Sequence, residues 1–180
     1  MKINKTFIED LLVIEPRLFK DERGFFYESY NKNNLDKVIN VIFVQDNESK
    51  SNKGVVRGLH FQLPPFEQTK LVRCVSGEIL DVAVDLRTNS KTYGKYFSIE
   101  LSSENKKQLF IPKGFAHGFQ VLSETAIVNY KVDSFYNPKS ESGIIWNDKD
   151  LSIDWNLDLK PNLSVKDLKL ISFKELKSPF

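Results

Sequence analysis

The residues of this sequence best suited to chemistry near neutral pH are its two histidines, His60 and His117. His60 lies in Val55-Val56-Arg57-Gly58-Leu59-His60-Phe61-Gln62, a run of strand-forming residues closed by Pro64-Pro65. His117 lies in the aromatic run Phe115-Ala116-His117-Gly118-Phe119. Imidazole is the one side chain whose unperturbed charge change falls in the physiological range, and on a rigid strand it suits a general base. Strict alternation sets Val56, His60 and Gln62 on one face and Leu59 and Phe61 on the other. It also sets Arg57 opposite His60, so both can face one ligand only if Gly58 breaks the pleat.

Other polar groups fall on strand faces that read as interior. Lys70 shares a face with Val72 and Cys74, and Tyr130 with Ala126, Val128 and Val132. Asp81 and Asp85 share a face with Ile79 and Ala83, opposite Leu80, Val82 and Val84. A buried Lys, Asp, Tyr and His are costly unless they partner one another or a ligand. Gln62 rather than a histidine follows His60 by two, and no other His or Cys stands at ligand spacing, so no metal is expected. No glycine-rich strand-to-helix turn invites a nicotinamide, and Gly58-Leu59-His60 is no nucleophile elbow. What remains is cofactor-free proton transfer. A histidine takes a proton from carbon beside a carbonyl, a cation such as Lys70 holds the enolate charge, and a phenol on the opposite wall returns a proton to the other face. That is epimerisation.

The elements that must position these groups are mostly strands. A chain of 180 residues reads as one domain, 1–180, with a core of about 11–158 and a tail of 159–180. Fourteen Phe and six Tyr, with Gly and Pro spread among short apolar runs, favour β structure. Strands are expected at Leu11–Ile14, Phe25–Tyr30 after a turn at Asp21–Gly24, Phe43–Asn47, the His60 run, Lys70–Val75, Glu78–Leu86, Tyr96–Leu101, Gln108–Ile111, Phe119–Leu122 and Ala126–Val132. The turn Ser76-Gly77 suggests that the Lys70 and Glu78 strands form a hairpin. Asn34 is placed to cap a short helix carrying Leu35, Val38 and Ile39, residues 50–54 read as a polar loop, and a second short helix falls near Lys166–Leu170. Many short strands with almost no helix predict a sandwich or small barrel, of which the jelly roll can hold a small ligand between its sheets. A formal net charge of +2, mixed along the chain, argues against nucleic acid as a partner. One cysteine fits a reducing compartment, and no apolar run spans a bilayer, so a soluble cytoplasmic protein without membrane association is expected.

The chain resembles the dTDP-4-dehydrorhamnose 3,5-epimerase family from about Leu11 to Asp167. The resemblance rests on Asp21-Glu22-Arg23-Gly24-Phe25-Phe26-Tyr27-Glu28-Ser29, Val44-Gln45-Asp46-Asn47, Val56 to Gln62, Lys70-Leu71-Val72-Arg73 and Asp81 to Arg87. It continues through Ile111 to Phe119, Ile145-Trp146-Asn147-Asp148 and Leu163 to Asp167, in order. It implies a cupin-like, all-β jelly roll that needs no cofactor and inverts C3 and C5 of a nucleotide-diphosphate 4-keto-6-deoxy sugar. It makes His60 the base, with Asp167 or Asp81 orienting it, Tyr130 the proton donor and Lys70 the neighbour of the enolate. Tyr136 matches the aromatic that stacks on the nucleotide base, and Arg23, Arg57 and His117 match diphosphate contacts. Glu28, Gln45, Asn47, Glu141 and Lys166 match further nucleotide-sugar contacts. A homodimer that exchanges N-terminal strands is implied as well. Thr69, Asn129 and Asn156 depart from the residues usual in the family beside these motifs. Relatives of this fold that act on GDP-linked 4-keto heptoses or invert C3 alone, related ketoisomerases, and a non-catalytic jelly roll are the alternatives.

Overall fold

In a computed structural model that describes residues 1–157 and 160–180, the chain folds into two antiparallel sheets and a detached hairpin. The strands are β1 (Lys2–Lys5), β2 (Leu12–Glu15), β3 (Phe19–Asp21), β4 (Gly24–Phe26), β5 (Gln45–Asn52), β6 (Val56–Gln62) and β7 (Lys70–Ser76). They continue as β8 (Glu78–Asp85), β9 (Tyr96–Ser102), β10 (Gln108–Ile111), β11 (Phe115–Val121), β12 (Thr125–Val132) and β13 (Glu141–Gly143). One sheet runs β1-β2-β10-β7-β12-β5, the other β13-β6-β11-β8-β9, and β3-β4 form the hairpin. The boundary expected between core and tail at 158/159 lies outside the described residues.

The two sheets close on each other over a core that takes alternate residues from both. Val72, Cys74, Leu109, Ala126 and Val128 come from the first sheet, and Ile79, Ala83, Leu101, Phe119 and Val121 from the second. The second sheet is buried on its other face too. There Val56, Leu59, Val82, Val84 and Ile144 are covered by Leu151, Trp155 and the C-terminal Leu163, Phe173, Leu176 and Phe180. Two buried faces explain why β11 has no exposed residue. The outer face of the first sheet is shielded by α1 (Lys32–Leu35) and the loop after it, through Leu35 and Ile39 on Leu12, Ile14, Leu71 and Phe110. Burying an aliphatic side chain contributes about 1.5–3 kcal/mol, and these layers make the scaffold stiff enough to hold polar groups inside.

Several expectations about elements need correction. β7 and β8 are not a hairpin: β7 pairs with β10 and β12, and β8 with β9 and β11. At Ser76-Gly77 the chain crosses from one sheet to the other. Gly77 has φ +76°, and a Cβ there would sit 2.1 Å from Thr125 O, so the crossing is packed too tightly for a side chain. Residues 50–52, expected in a loop, continue β5 along the whole of β12. The cap of α1 is Asn31, whose side chain accepts from Asn34 N, not Asn34 itself, and Val38 is exposed. The strand expected at Phe25–Tyr30 ends at Phe26, while that expected from Phe119 begins at Phe115. The short helix expected near Lys166 is a 3-10 turn at Asp167–Lys169.

Candidate active site

β6 does not alternate strictly. Val56 packs outward with Leu59 and Phe61, whereas the exposed Arg57 and half-buried His60 both line the cavity between the sheets. The parity changes at Gly58, whose φ is +116° and where the β6–β11 register shifts between His117 and Phe119. A Cβ on Gly58 would lie 2.6 Å from Gly118 Cα, and one on Gly118 would lie 2.6 Å from Arg57 O. Two glycines facing each other let the strands touch backbone to backbone, and the pleat resets there.

The reset opens a cavity of about 270 Å³ between the sheets. From the second sheet come Arg57 and His60 on β6, His117 and Phe119 on β11, and Glu141 on β13. From the first come Ser49 on β5, Lys70 on β7 and Tyr130 on β12. The His60 imidazole and the Tyr130 phenol therefore stand on facing sheets with one hollow between them.

His60 is paired through Nε2 with Asp167 Oδ1 at 2.5 Å. A carboxylate only accepts, so this contact places the ring proton on Nε2 and leaves Nδ1 free to take a proton. Asp167 is 3% exposed. Burial alone would raise its carboxyl, but His60, the Ser164 hydroxyl and the Arg57 charge outweigh it and hold the group below its ordinary range. The tail carrying Asp167 is pinned by parallel bridges at Val55–Asn162 and Ile144–Ile171 on either side of it.

Asp81, the other carboxylate considered for His60, belongs to a different pair. It is fully buried and accepts from His117 Nε2 at 2.8 Å, and its Oδ2 has no partner among the described residues. Burial pushes His117 below its ordinary range, against the pull of Asp81. Lys70 is buried nearby: desolvation lowers its ammonium to about 8, with Asp81 opposing. The result is a cation that remains mostly protonated at neutral pH and is poorly hydrated. Tyr130 is moved the other way: burial raises its phenol, with partial relief from Arg57, so it holds its proton at neutral pH.

A second group sits at the mouth. The Tyr136 hydroxyl donates to Glu141 Oε2 at 2.9 Å, and Lys166 Nζ donates to the same oxygen at 3.1 Å. Burial would raise Glu141, but the Lys166 and Tyr136 bonds hold it low. Gln45 donates to Asn47 at 2.8 Å, and its carbonyl accepts from Tyr136 N. Arg57 donates through Nε to Ser51 Oγ at 3.0 Å.

Arg23 and Glu28 are not brought to this cavity within the chain. Arg23 sits at the tip of the β3–β4 hairpin, paired with Asp21 and largely exposed. Glu28 bonds Asn31 and borders a separate hollow under the N-terminal segment. Gln62, placed by alternation on the face of His60, lines the cavity as well, whereas Ser49, Gln68 and Phe119 line it without having been expected there. Ser49 lies at i+4 from Gln45 and i+2 from Asn47, so continuing β5 past Asn47 would have found it.

Comparison with known proteins gives the family and the fold. The family model for dTDP-4-dehydrorhamnose 3,5-epimerase matches residues 5–175. The dTDP-4-dehydrorhamnose 3,5-epimerase of Shigella flexneri is 54% identical over 170 residues, 93% of each chain. That of Escherichia coli is 51% identical over 178 residues, 98% of this chain and 96% of the other. A crystal structure of a dTDP-6-deoxy-D-glucose-3,5-epimerase from Legionella pneumophila, in complex with dTDP-4-keto-L-rhamnose, superposes with a TM-score of 0.94 at 47% identity. It covers 97% of this chain and 94% of that one.

Proposed function

This chain belongs to the dTDP-4-dehydrorhamnose 3,5-epimerase family, and from that premise we propose that it inverts C3 and C5 of dTDP-4-dehydro-6-deoxyglucose by proton transfer between His60 and Tyr130. It is a sugar epimerase with a cupin-like jelly-roll fold. The observation that carries the mechanism is the placement of His60 and Tyr130 on opposite walls of one cavity, with Lys70 beside them. The ketone at C4 acidifies the hydrogens at C3 and C5. His60 Nδ1 takes one of them, and the electron pair moves onto the carbonyl oxygen as an enolate. Asp167 stabilises the imidazolium that forms, and Lys70 stabilises the enolate oxygen in a site with little water. Tyr130 delivers its proton to the opposite face of the carbon, which inverts it. Solvent then resets both groups, and the second carbon follows.

The nucleotide end belongs at the mouth, where Tyr136 offers a face for the base. Arg57 and His117 border the cavity and suit the diphosphate. Glu141, Lys166, Gln45 and Asn47 shape the same rim. Arg23 and Glu28 act in trans within a homodimer. The exposure of Arg23 and of Phe19, Phe25 and Phe26 on the hairpin supports a reach toward a second copy.

The test is incubation with dTDP-4-dehydro-6-deoxyglucose in heavy water. The natural chain incorporates deuterium at C3 and C5. His60→Ala incorporates none, whereas Tyr130→Phe still exchanges but inverts poorly. Full exchange by His60→Ala, or normal turnover by Tyr130→Phe, would overturn the assignment.

A further inference from the structure

Gln62 follows His60 by two residues on β6 and is 5% exposed. Its amide spends everything it can donate on backbone. Nε2 donates to Phe66 O at 2.6 Å and to Phe135 O at 3.3 Å, and Oε1 accepts from Asn137 N at 2.7 Å. An amide has two N–H donors, so none remains for a ligand even though the side chain borders the cavity. Phe135 and Asn137 flank Tyr136, whose own N–H is held by Gln45 Oε1 at 3.2 Å. Three consecutive backbone positions around one half-exposed tyrosine are thus fixed by two side-chain amides. Gln68 adds a parallel tie by donating to Ser134 O at 2.7 Å.

We propose that Gln62 is a positioning residue for the nucleotide end of the substrate: it acts through the backbone on either side of Tyr136 to fix that ring, and leaves the hydrogen-transfer step to His60 and Tyr130. The inference rests on the reading of the site given above. It deepens that reading by assigning one strand two tasks, with the base at His60 and the anchor of the mouth two residues on. A polar anchor suits this place because the loop presents two carbonyls and one N–H, which an apolar side chain cannot hold.

The test titrates dTDP into the natural chain, Gln62→Leu, Tyr136→Ala and the double variant by calorimetry, and measures kcat and KM for each with the 4-keto sugar. Base stacking on an aromatic ring carries about 1–3 kcal/mol, so Tyr136→Ala weakens dTDP binding by about ten- to a hundredfold. Gln62→Leu raises the dTDP Kd and the KM by about tenfold, while kcat changes by less than about threefold. Because Gln62 works through Tyr136, the double variant binds dTDP within about twofold of Tyr136→Ala alone. Additive losses, or a fall in kcat with KM unchanged, overturn the proposal.

Gln62→Glu reads the same point where the leucine variant fails to fold. It keeps the acceptor for Asn137 N but turns a carboxylate on the two carbonyls, so dTDP affinity is low at pH 8 and recovers toward pH 5. Affinity that does not change with pH in that variant counts against the assignment. A natural chain that binds dTDP but exchanges no deuterium would remove the epimerase reading and leave this inference to the titration. A chain that does not bind dTDP removes the inference as well.

Discussion

Replacing Lys70 by methionine should stabilise the protein and disable it in the same stroke. Lys70 is 9% exposed, and desolvation draws its ammonium from 10.5 down to about 8 against the opposing charge of Asp81. Between those two values the unfolded chain holds a proton that the folded chain has released, so unfolding free energy rises with pH across that window. Below about pH 8 both states are protonated, and the folded state carries the full cost of a buried cation. At about 1.4 kcal/mol per tenfold change in proton affinity, the displacement amounts to about 3 kcal/mol at neutral pH. Methionine has a similar length and no charge, so Lys70→Met removes that cost. With a urea slope of about 2 kcal/mol per molar, the midpoint at pH 7 rises by about 1.5 M. The gain should shrink to about 0.4 kcal/mol at pH 10.5, where the lysine of the natural chain is neutral when folded and half protonated when unfolded. Protein concentration is held fixed, because the stability of the proposed homodimer would depend on it. Deuterium exchange in the same variant falls by about a hundred- to a thousandfold, as expected for loss of one charge-stabilising group. An unchanged or lowered midpoint at pH 7, or a gain that persists undiminished at pH 10.5, would refute this reasoning.

Asp167→Asn keeps the shape of the contact with His60 but loses the charge that stabilises the imidazolium, so kcat falls by about a hundredfold or more with KM little changed. The carboxyl sits below its ordinary value in the folded state. Its contribution to stability is therefore complete above the usual carboxylate range and lost as pH falls through the folded value. Melts of the two proteins should differ most near neutral pH and converge in strong acid. Subunit exchange tests the proposed homodimer. Arg23→Ala alone should be weak and His60→Ala alone inactive, and mixing them should restore activity through mixed dimers in which one site has both an intact His60 and an intact arginine. No recovery after verified exchange would place Arg23 outside its neighbour's site.

The inward faces of β7, β8 and β12 were legible in the sequence because alternation is a local property: Lys70, Asp81 and Tyr130 lie on the faces expected. Strand partners were not. Val72 and Ile79 both point into the same core, and Ser76-Gly77 has the composition of a hairpin turn, so nothing nearby reveals that the two strands belong to different sheets. β5 is an edge strand whose alternate residues meet solvent, and it therefore has the composition of a loop. Asp167 and Asp81 were both credible partners for His60. The choice depends on where the tail docks, and the contact spans 107 residues of sequence. The change of pleat at Gly58 was visible only as a conflict, since strict alternation put Arg57 and His60 on opposite sides.

The facing glycines at Gly58 and Gly118 bear on how such an enzyme can change its substrate. Neither can acquire a methyl group while the other strand stays in place, because each would collide with main chain rather than with a movable side chain. A substitution at either glycine thus cannot tune the width of the cavity beside His60. Diversification toward other sugars is expected instead at lining side chains such as Ser49, Gln68 and Phe119, or in the loops at the rim. A library aimed at new specificity should leave these two positions untouched.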